Sequence, residues 1–185
     1  MQTKQSVPTS SYDSVAKTLH WLVFVLIAIE FIIAWTMPGL RRAAAATALV
    51  SFHFSFGLLI LAVIIIRIFW RFTHRIPEYD SELDAGDILL ARVMHATLYG
   101  ALLVMPFVGW MWASARGWQI LFFGLFPVPP LVAVGSALGM SAGRVHSFLG
   151  VVLAVLIGLH ALAALYHHYI LKDSVLKRML PDFDQ

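Results

Sequence analysis

Four long apolar stretches, separated by shorter polar or glycine- and proline-rich segments, dominate the pattern along this chain. The stretches cover about residues 19–37, 46–69, 88–113 and 145–170. Each can cross a membrane as one helix, because about 20 apolar residues span the hydrocarbon core. The pattern therefore predicts an all-α integral membrane protein, a four-helix transmembrane bundle that forms a single domain over residues 1–185.

The segment between the third and fourth stretches, residues 114–143, is also apolar but is interrupted by glycines and prolines. Its strongest break is the run Pro127-Val128-Pro129-Pro130. Proline lacks a backbone N–H and clashes with a continuing helix. We therefore expect a loop at the membrane surface, or a re-entrant loop, rather than a fifth span.

The composition limits the possible chemistry. The chain is 60% hydrophobic and 12% charged, which leaves no room for a sizeable soluble domain and favours lipid, not nucleic acid, as a partner. It has no cysteine, which excludes disulfides, iron–sulfur clusters, thiolate zinc sites and covalently attached haem. Any haem must therefore be held by side-chain ligation and packing alone.

The distribution of lysine and arginine predicts the orientation in the membrane. With the N-terminus in the cytoplasm, four of the thirteen basic residues lie outside, which leaves nine inside. The outer four are Arg41, Arg42, Arg116 and Arg144. Because short cytoplasmic loops carry the excess of positive charge, we expect both termini to be cytoplasmic.

Four histidines inside the apolar stretches fall at two depths. His146 and His160 are 14 residues apart, almost four helical turns, so they share one face of the fourth span about 21 Å apart. Neighbouring spans run in opposite directions, which places His20 near the inner surface and His53 near the outer one. We therefore predict an inner pair, His20 with His160, and an outer pair, His53 with His146.

Two histidines facing each other across a bundle are suited to ligate a haem. Gly57 and Gly150 each follow an outer histidine by one turn and leave space for a porphyrin. Lys17 and Arg67 on the inner side, and Arg144 on the outer side, are candidates to pair with haem propionates. Two axial histidines leave iron no open position, which favours electron transfer over oxygen binding. The alternative is that these histidines only form hydrogen bonds between helices.

The chain resembles the bacterial cytochrome b561 family over nearly its whole length. The motifs are LHWLVF at 19–24, FHFSFG at 52–57, RIFWR at 67–71, MPFVG at 105–109, VHSFLG at 145–150 and GLHALAALYHHYILKD at 158–173. The resemblance implies a multi-pass protein of the bacterial inner membrane that transfers electrons in the respiratory chain, with ubiquinone as the usual partner. It also implies two non-covalent haems b, with their iron atoms held by His20, His53, His146 and His160.

Four aromatic residues near the inner ends of the spans are candidates for a ubiquinone site: Trp21, His95, His167 and His168. A histidine there can form a hydrogen bond to a quinone carbonyl and relay protons. The alternative is a set of interfacial side chains without a ligand. Glu30 lies near mid-bilayer, where a carboxyl is costly. We expect it either to pair with a neighbouring helix or to serve proton uptake.

The four outer arginines, Arg41, Arg42, Arg116 and Arg144, give the outer mouth a positive field. Such a field would steer a small anion such as superoxide. It could equally dock an acidic redox protein or bind lipid phosphates.

The leading functional hypothesis is an oxidoreductase that oxidises superoxide outside and reduces ubiquinone in the membrane. Some members of the family that the chain resembles are superoxide oxidases. Others are cytochrome b subunits of respiratory dehydrogenases or hydrogenases, so an electron-transferring anchor subunit is the second hypothesis. A histidine-lined metal transporter is the third, but it would need more acidic or polar residues along the path than Glu30 alone.

Overall fold

A computed structural model describes residues 11–37, 47–75, 77 and 84–181. Within these residues four helices are long and apolar enough to cross a membrane. They are α1 (Ser14–Thr36), α2 (Ala48–Thr73), α3 (Ala85–Ala115) and α4 (Ala137–Tyr166). A π-helical turn, His167–Leu171, continues α4, and a 3₁₀ turn, Lys177–Met179, follows. The predicted all-α four-helix membrane fold is confirmed.

Each helix begins at a polar side chain that accepts a hydrogen bond from the first turn. Asp13 accepts from the N–H of Ala16, and Thr47, Asp84 and Ser136 do the same for the other three helices. Such caps satisfy N–H groups that have no partner within the helix. The apolar pattern does not include these polar first turns, which is why α1 begins five residues before the predicted span.

The predicted loop over residues 114–143 is only partly correct, because α4 already begins at Ala137. A Cβ atom on Gly139 would lie 2.5 Å from the Cβ of Ala115, and one on Gly143 would lie 2.6 Å from the Trp112 indole nitrogen. These glycines therefore allow α4 to approach α3 closely, as small residues do between membrane helices. The predicted loop, whose breaks were the glycines and prolines before Val132, extended over both of these positions.

The remainder of this segment folds as a short antiparallel hairpin of β1 (Leu121–Phe122) and β2 (Phe126–Pro127). At its turn, the backbone N–H of Phe123 donates to the hydroxyl of Ser55 at 2.9 Å. Ser55 is fully buried on α2. The hairpin is thereby attached to the bundle, and it forms no fifth span within the described residues.

The helices pack in the order α1 on α2, α2 on α3 and α3 on α4. Buried side chains from all four helices meet in one apolar core, which includes Val23, Ile60, Ile64, Leu102 and Leu153. In the described part of the chain, the backbone of α4 makes no extensive contact with α1 or α2. On one side of the core, a large cavity lies between these helices.

The two ends of the bundle differ. At one end, which we call the cavity end, α1 and α3 finish and α2 and α4 start, around a large cavity. At the opposite end, Arg67 donates to the carbonyl of Ala16 at 3.2 Å and to the hydroxyl of Tyr99 at 3.0 Å. Burial by itself would raise the pKa of the Asp13 carboxyl. Hydrogen bonds from the Ala16 N–H and the Trp70 indole have the larger effect, so the pKa is lowered. These contacts join α1, α2 and α3.

Candidate functional site: two histidine pairs

The outer pair bridges the space between α2 and α4 at the cavity end. The ring centres of His53 and His146 are 5.9 Å apart. Nδ1 of His146 lies 3.1 Å from the carbonyl oxygen of Met105, to which it can donate. Nδ1 of His53 lies 3.0 Å from a carboxyl oxygen of Glu30, although the ring is not turned for a well-aligned hydrogen bond. Both contacts involve Nδ1, so Nε2 is the nitrogen available to a metal.

The inner pair lies between α1 and α4 at the opposite end. The ring centres of His20 and His160 are 6.2 Å apart. A third imidazole is also close, because the ring centre of His95 on α3 lies 5.4 Å from that of His160. The structure thus places the rings of both predicted pairs side by side, and adds His95 to the inner one.

Both spacings are compatible with one iron between two imidazoles. Two rings on opposite sides of a metal, each with a nitrogen roughly 2 Å from it, have their centres roughly 6 Å apart. Among the described residues no three histidine, aspartate or glutamate side chains converge as a metal site. A haem needs only two protein ligands, since the porphyrin supplies the other four, so the residues present fit this group.

The cavity beside the outer pair has a volume of about 1310 Å³ and is lined by His53, His146, Gly57 and Gly150, among others. This exceeds the range of about 300–1,000 Å³ that is usual for ligand pockets. A Cβ on Gly57 or Gly150 would come no closer than 3.4 Å to another side chain, an ordinary contact. Protein packing therefore does not require either glycine, and both keep the cavity open.

Gly109 has a different role, which the sequence analysis missed. A Cβ atom at this position of α3 would lie 2.8 Å from Cε1 and 2.9 Å from Nδ1 of His146. Only a residue without a side chain lets the imidazole occupy its observed position. The sequence signal for this role is its place in the motif MPFVG, one turn after Met105.

The cationic residues divide between the two ends. Arg116 and Arg144 line the cavity, and the Arg116 guanidinium lies 4.7 Å from the ring centre of Trp118. The Trp118 indole N–H also lines this region and is buried without a hydrogen-bond partner in the described structure. At the opposite end, Lys17 is buried at 3% exposure. The predicted steering residues Arg41 and Arg42 lie outside the described residues.

The four quinone-site candidates all lie at the opposite end, but they differ in their contacts. The Trp21 indole donates to the carbonyl of Met179 at 2.9 Å, and the His167 imidazole contacts the Asp173 carboxyl. Nδ1 of His95 and Nδ1 of His168 are buried without a well-formed hydrogen bond to any described residue. Of the four candidates, these two are the imidazoles for which the described residues supply no well-aligned partner at Nδ1. Asp173 was not singled out from the sequence.

Comparisons with known proteins agree with this architecture. Residues 11–182 match the family described as prokaryotic cytochrome b561. The probable superoxide oxidase CybB of Yersinia pestis is 33% identical over 173 residues, which cover 92% of this chain and 96% of that protein. Cytochrome b561 homolog 2 of Escherichia coli K12 is 31% identical, over 91% and 90% of the two chains. Cytochrome b562 of Cereibacter sphaeroides is 26% identical, over 91% and 94%.

The family match covers most of the chain, and the described residues contain four helices long and apolar enough to cross a membrane, which fits a membrane cytochrome. The family implies haem b and electron transport, and the homologue names suggest an oxidoreductase. The chain therefore belongs to the prokaryotic cytochrome b561 family and is a bacterial membrane protein that functions in transmembrane electron transfer.

Proposed function

We propose that this protein oxidises superoxide at the outer face of the inner membrane and reduces ubiquinone within it, through two haems b each held by a histidine pair. The observation that carries the proposal is the position of the two pairs. They share α4 and lie about 21 Å apart along it, one toward each end of the bundle. Electrons entering at one end can thus be delivered at the other.

At the outer site, His53 and His146 would hold the iron, and Gly57 and Gly150 would leave room for the porphyrin. Haem supplies reversible one-electron chemistry when bound. Two histidine ligands exclude oxygen from the iron and restrict the site to electron transfer. Arg144 lines the cavity and donates to the Ser141 hydroxyl at 3.4 Å, and it would pair with a haem propionate.

At the inner site, ring spacing alone admits either His20 or His95 as the partner of His160. A porphyrin must pass between the helices that carry its two ligands. Because the backbone of α4 packs extensively on α3 but not on α1, a porphyrin would fit more readily between α4 and α1. This favours His20 as the second ligand, with Lys17 of α1 and Arg67 of α2 at the same end of the bundle to pair with propionates. His95 would then remain available to bind a substrate.

Superoxide is the proposed donor because the cavity end carries Arg116 and Arg144 beside the outer pair. Convergent positive charge raises the encounter rate of a small anion. The Yersinia pestis relative, which is named a probable superoxide oxidase, supports the same choice. Each superoxide anion would lose one electron and leave as dioxygen.

Ubiquinone is the proposed acceptor at the opposite end. Its reduction takes two electrons and two protons, so two superoxide anions are consumed for each ubiquinol. His95 and His168 each have a ring nitrogen without a well-formed hydrogen bond to a described residue, and these imidazoles would bind the quinone carbonyls. His167, in contact with Asp173, can pass protons from the aqueous side. With both termini in the cytoplasm, as the nine-to-four distribution of basic residues favours, these protons would come from the cytoplasm.

The test uses the purified protein in detergent with a superoxide source and a soluble ubiquinone. We expect two superoxide anions to disappear per ubiquinol formed, and a pyridine haemochrome ratio of two haems per chain. The matched control is His53→Ala, which should lose the reaction and one haem. If ubiquinol reduces the haems but superoxide does not, the donor assignment is wrong. The protein would then serve as the cytochrome b subunit of a larger dehydrogenase.

A further inference from the structure

We infer that Glu30 is a positioning residue for the outer haem: its carboxyl holds His53 by Nδ1 and lowers the redox potential of that site. The inference rests on the proposed ligation of iron by His53. It adds a residue from α1 to a site whose two ligands come from α2 and α4.

The first observation is the contact between the two side chains. A carboxyl oxygen of Glu30 lies 3.0 Å from Nδ1 of His53, and their side chains are 16% and 21% exposed. A small rotation of the imidazole would align its N–H with this oxygen. The second carboxyl oxygen, Oε2, is buried without a hydrogen-bond partner among the described residues. Since a carboxyl within a membrane is costly, its position against this histidine indicates a function.

The second observation concerns the space that the carboxyl occupies. Oε1 of Glu30 lies 3.4 Å from where the Cβ of residue 57 would be, and residue 57 is a glycine one turn after His53. Glu30 and Gly57 both line the outer cavity. The carboxyl therefore lies beside Gly57, on the same side of α2 as the histidine that it contacts.

The third observation is the difference between the two outer histidines. His146 has a neutral acceptor, the backbone carbonyl of Met105 at 3.1 Å. His53 has a carboxyl instead, and hydrogen bonds to charged acceptors are the stronger ones. A carboxyl that accepts the Nδ1–H raises the basicity of the ligating nitrogen and fixes the tautomer. A more basic ligand favours oxidised over reduced iron, so the contact lowers the potential.

The experiment is a redox titration of Glu30→Gln beside the wild-type protein, followed in the visible spectrum. Glutamine keeps the shape and an acceptor oxygen but removes the charge. We expect both haems to be retained and the potential of the outer component to rise. The ratio of reduced to oxidised outer haem at a given potential should increase about tenfold, which is about 59 mV for one electron. The outer component is the one that His53→Ala abolishes.

Asp173→Asn is the matched control, because it neutralises the carboxyl that contacts His167 at the far end of the molecule. It should leave the outer potential unchanged. Should Glu30→Gln lose the outer component, the titration is made on Glu30→Asp. That variant keeps the charge, but its side chain is one methylene shorter, so the carboxyl lies farther from His53. The outer potential should again rise.

An unchanged outer potential in a variant that retains both haems overturns the role of Glu30 and leaves the proposed electron transfer intact. The proposed function fails separately, if the wild-type protein holds no haem or if His53→Ala removes none. The outer midpoint potential is measured without any substrate, so it reports on the contact and not on turnover.

Discussion

Gly109 provides the sharpest test of whether His146 holds a metal, since Gly109→Ala adds one methyl group directly against its ring. The new Cβ would lie 2.8 Å from Cε1, where carbon atoms normally stay about 3.5–4.0 Å apart. The imidazole must therefore move by at least about 0.7 Å or turn. Its Nδ1 contact with Met105, one turn earlier on the same helix, opposes that movement.

The expected effect follows from the cost of such overpacking, which is about 1–3 kcal/mol in well-packed sites. If this cost appears as weaker binding of the outer haem, affinity falls by roughly 5–150-fold, since about 1.4 kcal/mol is a factor of ten. The purified variant should then contain between one and two haems per chain. In its redox titration, the outer component should have a smaller amplitude than in the wild-type protein, and the amplitude of the inner component should be unchanged.

Gly100→Ala is the control, because it makes the same change on the same helix where no atom lies within 4 Å of the new Cβ. It should keep two haems. If Gly109→Ala binds both haems with wild-type affinity and spectrum, His146 does not hold the outer iron. If Gly109→Ala loses the inner component instead, His146 belongs to the other site.

Three further predictions concern the same end of the molecule. Alanine at His53 or at His146 should remove one and the same spectral component in a redox titration, whereas different losses would mean that the pairs are wrongly assigned. Gly150→Leu should insert in the membrane, as judged by yield, but lack the outer haem because its side chain fills the porphyrin space; full occupancy would make the glycine an ordinary helix contact. Stopped-flow reduction of the outer haem by superoxide should slow when Arg116 and Arg144 are both replaced by glutamine. It should also slow with salt, since the Debye length falls from about 10 Å at 0.1 M to about 3 Å at 1 M, and a salt-independent rate would contradict steering.

The sequence by itself determined the membrane fold and the depth of each histidine. Both are local properties of a helix: an apolar run shows where a span lies, and a rise of 1.5 Å per residue converts position into depth. Because adjacent spans alternate in direction, depth was enough to pair His53 with His146 and His20 with His160. The rings of both pairs are about 6 Å apart in the structure. The family could also be identified from the motifs around these residues.

The tertiary structure decided which side chains share a face across helices. The rotation of a helix about its own axis depends on packing against its neighbours, and the sequence pattern in this bundle is apolar on every side. That is why the contact between Glu30 and His53, and the approach of His95 to His160, could not be derived from spacing. The roles of Gly109 and Gly139 likewise depend on how neighbouring helices pack against them. A glycine in an apolar run can break a helix, open a cavity or admit a neighbour, and only the atoms of the opposing helix determine which.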